Sequence, residues 1–163
     1  MIHPWPQIRR SLAALAITVL IACSPPPPTT NPVRSLEVEQ FDNLISAKEF
    51  NGLVAVFASW CPPCREELHD LAKLDRKARS ENARIIAVSM DQDDPQAVQR
   101  VVNQLGLPFP VYYVGLPLAQ KYRIVGVPTL LVVRQGQIVE KVLGQQSSSQ
   151  LAAKLKRVVS GAS

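Results

Sequence analysis

The sequence is poor in cysteine: three stand in 163 residues, at Cys23, Cys61 and Cys64. So few cannot build a disulfide-stapled scaffold. Aromatic residues make up 6% and charged residues 19%, against 47% hydrophobic residues. That balance suits a packed core rather than a disordered chain, and the length allows one domain of ordinary size with appendages. No internal repeat is present. The basic residues Arg76, Lys77, Arg79, Lys154, Lys156 and Arg157 lie in helix-like stretches beside acids or apolar positions. Solvated faces account for them, and nucleic acid is not an expected partner.

The N-terminal apolar run, Leu12 to Ala22 behind Arg9 and Arg10, is too short to cross a bilayer of roughly 30 Å but suits an export signal. It ends in Leu20-Ile21-Ala22-Cys23, which resembles the lipobox of bacterial lipoproteins. The resemblance implies cleavage after residue 22 and acyl chains on Cys23. Residues 1–22 hold two arginines and no acid, so their loss takes the formal charge from +5 to +3. Residues 23–35 contain Pro25-Pro26-Pro27-Pro28 and Pro32, a composition that favours an extended tether over helix or interior strand. Residues 36–163 are the expected domain. The expected location is periplasmic or otherwise extracytoplasmic, on a bacterial membrane through the lipid. Ser24, rather than Asp, after the lipid cysteine resembles lipoproteins sent to the outer membrane, which implies that location in a host with two membranes.

From Leu36 onward strand-like and helix-like patterns alternate. Val38 to Ile45 is expected to hold a short strand and a helix. Leu53 to Ala58 reads as a strand buried on both faces, and Pro62 to about Arg79 as a helix burying Leu68, Leu71, Leu74 and Ala78. Ala83 to Met90 is the next strand. Asp94-Pro95 is a capped helix start whose inner face is Val98, Val101, Val102 and Leu105, closed by Gly106. A strand at Val111 to Val114 and a short helix around Leu118 to Tyr122 follow. Thr129 to Arg134 and Gln137 to Leu143 form a hairpin around Gln135-Gly136, and Ser147 to Val159 a terminal helix. The fold class is α/β, a mixed sheet flanked by helices.

Trp60-Cys61-Pro62-Pro63-Cys64 falls where a buried strand gives way to a helix. Cysteines at this spacing suit a disulfide, and Cys61 faces the positive end of the helix dipole, which favours a thiolate. A bond closing so small a loop adds little as scaffolding, because a disulfide stabilises chiefly by restricting long loops. The pair is therefore chemical: Cys61 the nucleophile, Cys64 the resolving thiol. Neither proline has an amide hydrogen, which leaves mainly the Cys64 amide and the helix field to stabilise the thiolate. No histidine lies between the cysteines. A reductant or mild exchanger is expected rather than a strong oxidase.

Ala58-Ser59-Trp60-Cys61-Pro62-Pro63-Cys64-Arg65-Glu66-Glu67-Leu68 resembles the active-site segment of the TlpA/ResA-like thioredoxin family. The likeness continues through Val88-Ser89-Met90-Asp91, Leu105 to Pro110 and Tyr122 to Thr129, covering about Leu36 to Val159. It implies a thioredoxin-like fold, no cofactor beyond the redox-active cysteine pair, and cytochrome c maturation as one pathway. It also implies a cis-proline loop at Val127-Pro128, offering the Val127 backbone to an extended substrate. Trp60 is counted with that substrate-binding set, with packing beside the disulfide as its main role.

Two departures matter. Relatives often carry a buried polar residue six positions before the first cysteine, where this chain has Ala55. Glu67, three residues past Cys64, is the available carboxylate, either a proton acceptor for Cys64 or a solvated helix glutamate. His69 stands where the family often has proline. The leading function is an extracytoplasmic thiol-disulfide oxidoreductase, a protein disulfide reductase. Its partners would be protein disulfides and an upstream thiol donor, with a membrane-embedded donor among the candidates, and the protein is expected to be a monomer. The alternative is a metal-binding or metal-delivery lipoprotein using Cys61, Cys64 and His69, although no metal site is expected.

Overall fold

Six residues, Gly52–Phe57 (β2), form a strand with every side chain buried, because both faces of the sheet they belong to are covered. Leu53, Ala55 and Phe57 point into one apolar cluster and Val54 and Val56 into another, the period of two that a strand imposes. The structure, a computed structural model, describes Met1 and residues 31–160. The apolar run Leu12 to Ala22, Cys23 and the Pro25–Pro28 run lie outside the described residues.

Around β2 the chain runs β1 (Arg34–Ser35), α1 (Val38–Ser46), β2, α2 (Pro62–Ser80), β3 (Arg84–Ser89), α3 (Pro95–Leu105), β4 (Val111–Tyr113), α4 (Leu116–Tyr122), β5 (Thr129–Arg134), β6 (Gln137–Leu143) and α5 (Ser148–Ser160). The strand order is β1-β4-β3-β2-β5-β6. β1, β4, β3 and β2 are parallel; β5 is antiparallel to β2 and to β6. The sheet is therefore mixed. Leu68, Leu71 and Ala78 of α2, Val98 and Val101 of α3 and Leu151 and Leu155 of α5 cover the face that also holds both cysteines. Phe41 and Ile45 of α1 and Leu118 of α4 cover the other.

Local chemistry sets the breaks. Asp94 Oδ1 accepts the Ala97 amide at 2.8 Å and Pro95 opens α3, while Gly106, at φ 57°, ends it in the left-handed region. In the hairpin, Gln135 and Gly136 have φ 49° and 73°, the pair of positive values a tight two-residue turn requires. A Cβ at Gly136 would lie 2.2 Å from the Ser46 carbonyl oxygen, so only glycine fits there.

Three expectations are corrected. Val38–Ser46 is helix throughout; the strand lies upstream at Arg34–Ser35, and two residues on a sheet edge carry no periodic signal. Leu74 is only partly buried, while Asp75 is buried and ion-paired with Arg79. Trp60 does not pack, being 71% exposed, because it projects from a turn beyond the end of β2.

Candidate functional site

β2 delivers the chain to the edge of the sheet, and a turn closed by Cys61 N donating to the Ala58 carbonyl at 3.1 Å hands it to α2. Cys61 is the N-cap of that helix. The first helical amides need partners from outside the helix. Pro62 and Pro63 have none to satisfy, Arg65 N bonds the Cys61 carbonyl at 3.3 Å, and Cys64 N donates to Cys61 Sγ at 3.3 Å. The sulfur thus holds the place that an Asp or Ser oxygen takes at other caps. It sits where the helix dipole and one aligned amide favour negative charge.

Cys61 and Cys64 are joined, with Sγ–Sγ 2.08 Å and Cα–Cα 5.3 Å. Both are almost covered, at 3% and 1% exposure. Cys61 is nearly as enclosed as Cys64. Since Val56 pairs with Thr129, the residues just before β5 lie beside the end of β2. These are Val127 and Pro128, joined by a cis peptide bond. Val127 packs against the cluster containing both cysteines, so the expected cis-proline loop and cysteine pair are brought together. Around them the exposed apolar side chains are Trp60, Val125, which is 86% exposed, and Leu143.

Glu67 is 1% exposed, which overturns the solvated alternative. It shares the inner face of α2 with Cys64. Its Oε2 accepts the Gln146 amide at 2.7 Å and its Oε1 has no protein partner. Burial pushes its pKa up to about 7, with the Gln146 amide opposing. A carboxyl near 7 can hold or release a proton at neutral pH. Ala55 is buried in β2 and supplies no polar group. His69 is exposed on α2, and among the described residues no group of three His, Cys, Asp or Glu side chains stands together.

The sequence reading missed Asp91 and the Gly144–Gln146 segment. Asp91, 6% exposed, accepts Ser59 N at 2.9 Å and Ser59 Oγ at 2.6 Å. Its stretch carried the family likeness, but its partner lies 32 residues away across a strand crossover, a relation no local pattern encodes. The Gly144–Gln146 segment reaches the site through backbone groups, which leave no mark on residue type. Gln145 Nε2 also donates to Glu66 Oε2 at 2.8 Å.

A family model described as AhpC/TSA family matches residues 30–142. Thiol-disulfide oxidoreductase ResA of Bacillus anthracis is 35% identical over 104 residues, 63% of this chain and 60% of that protein. ResA of Bacillus cereus (strain ATCC 10987) is 30% identical over 119 residues, 70% of this chain and 68% of that protein. The chain thus spans about three fifths of the length of the first of these relatives. The crystal structure of a thioredoxin-family thiol:disulfide interchange protein from Chlorobium tepidum superposes with TM-score 0.62 at 23% identity, over 69% of this chain and 81% of that one. Its fold is thioredoxin-like, as expected.

Proposed function

The chain belongs to the AhpC/TSA family, with ResA-type thiol-disulfide oxidoreductases among its relatives, and from that premise we propose that it reduces disulfides in other proteins. The observation that carries this reading is the Cys61–Cys64 disulfide at the N-terminus of α2, beside the cis-proline loop.

In the reduced protein the Cys61 thiolate attacks one sulfur of a substrate disulfide. The substrate S–S bond breaks, its second sulfur leaves as thiolate and takes a proton from solvent, and a mixed disulfide with Cys61 remains. Cys64 then loses its proton and attacks Cys61 Sγ. The second substrate thiol is released and the Cys61–Cys64 disulfide forms, the state seen in the structure. Two electrons have passed to the substrate, and a thiol donor must return them. Glu67 receives the Cys64 proton: it is buried on the same helix face, and an acceptor near 7 is matched to the task. An extended substrate pairs with the Val127 backbone and lays its apolar side chains against Trp60.

The finer placement is also proposed: export by the leader, a lipid on Cys23, residence on the outer face of a bacterial membrane, and action as a monomer on protein disulfides such as those handled in cytochrome c maturation. No helix among the described residues is long and apolar enough to cross a membrane. The metal-binding alternative has no observation in its favour.

Insulin reduction with dithiothreitol as donor tests the activity. The full chain accelerates precipitation of the insulin B chain, Cys61→Ser and Cys64→Ser abolish the acceleration, and Glu67→Gln slows it at pH 7. Wild-type protein no faster than dithiothreitol alone would overturn the reading.

A further inference from the structure

We propose that Asp91 is the positioning residue of the redox pair, acting through the amide and hydroxyl of Ser59 to hold the turn that presents Cys61. The inference rests on the disulfide-exchange reading for its kinetic consequence only. The turn Ala58–Cys61 is closed by one hydrogen bond, Cys61 N to the Ala58 carbonyl. Ser59, at its centre, has an amide that this bond does not use. Asp91 takes it: Oδ2 lies 2.9 Å and Oδ1 3.2 Å from Ser59 N. Oδ1 also accepts Ser59 Oγ at 2.6 Å and Oδ2 accepts Ser89 Oγ at 2.5 Å. Three donors converge on one buried carboxylate, a demand that an acceptor-only group meets in full.

Asp91 is itself held. Its amide donates to Ser89 Oγ at 3.0 Å, the neighbouring Met90 amide donates to the Phe57 carbonyl at 3.0 Å, and Gly115 N donates to the Ser89 carbonyl at 3.1 Å. The end of β3 thereby fixes the end of β2. Two residues beyond Ser59, the sulfur of Cys61 must face the Cys64 amide and the axis of α2, an alignment that a loose turn forfeits. Rates in such sites depend on placement to within about an ångström.

The test uses the full-length chain with Asp91→Ala and Asp91→Asn. Both variants lose the charge, so the difference between them isolates the hydrogen bonds, because Asn keeps an oxygen for the Ser59 amide. Two readouts are followed at 25 °C: the pH profile of Cys61 alkylation by iodoacetamide in reduced protein, which needs no substrate, and kcat and KM for insulin reduction. We expect Asp91→Ala to be about tenfold slower than Asp91→Asn in both, the loss carried by kcat, as removal of a charge-assisted hydrogen bond implies. Equal rates in two folded variants would overturn the proposal, even if Asp91→Ala melted at lower temperature. If wild-type protein fails to reduce insulin, the proposed function falls and the alkylation profile alone decides. If Asp91→Ala does not fold, Ser59→Ala replaces it and is expected to slow alkylation about threefold; an unchanged profile overturns the proposal.

Discussion

Glu67 accepts the backbone amide of Gln146 at 2.7 Å, which ties the carboxylate next to Cys64 to the segment after β6. Two residues earlier in that segment, Gly144 N donates to the Pro128 carbonyl at 2.8 Å. The acid proposed to take the resolving proton and the loop proposed to hold substrate are therefore braced by the same three residues.

The raised pKa of Glu67 makes stability depend on pH. Its folded value, about 7, lies above the ordinary 4.5, so the folded state keeps a proton that the unfolded chain has lost. Stability is fully present below about pH 4.5 and falls as pH rises toward 7. Glu67→Gln removes this dependence. Urea unfolding of the oxidised protein should show wild type losing about 3 kcal/mol more than the variant between pH 4.5 and 7.5 at most, from the 1.36 kcal/mol carried by each pKa unit. Parallel curves for the two proteins would mean that Glu67 is not buried in its charged form.

Pro62 and Pro63 leave the Cys64 amide as the sole amide donor to the Cys61 sulfur among the first three helical positions. Pro63→His adds an amide hydrogen and an ionisable ring there, both of which favour the thiolate of the reduced form. The reduction potential should become less negative, each tenfold change in the exchange constant being worth about 30 mV. Equilibration with glutathione redox buffers measures it. An unchanged or more negative value would remove the electrostatic account of the pair's reducing power.

Trp60 projects into solvent. Trp60→Ala is expected to leave the melting transition within about 0.5 kcal/mol of wild type, as for surface positions, while raising KM for a disulfide-containing peptide and sparing kcat. A large loss of stability would restore the packing role that the exposure contradicts.

The lipid proposal has a simple readout. Expressed from its full sequence in a bacterium, wild-type protein should partition with membranes and carry an acylated N-terminal Cys23. Cys23→Ser should leave the uncleaved chain unacylated. Unmodified Cys23 in mature wild-type protein would contradict it.

Much of the fold was legible because its elements carry strong periodic signals: the unbroken apolar run of β2, the Asp94-Pro95 cap of α3 and the Gln135-Gly136 turn all form where the residues point. β1 was not legible, since Arg34 and Ser35 become a strand only by pairing with Tyr112 and Tyr113. In the site, Cys61 and Cys64 stood out by type and spacing, and Pro128 through the family resemblance. Asp91 did not, because its importance lies in meeting Ser59 across two strands. Glu67 was legible as an acid but not as a buried one; that depends on the segment after β6 folding over α2.

Trapping the mixed disulfide tests the central claim most directly. Reduced Cys64→Ser and reduced Cys61→Ser proteins are each mixed with a peptide containing one disulfide, quenched with acid and mapped by mass spectrometry. The account predicts a persistent adduct on Cys61 in the Cys64→Ser protein and little on Cys64 in the Cys61→Ser protein. An adduct carried mainly by Cys64, or none on either, would contradict it.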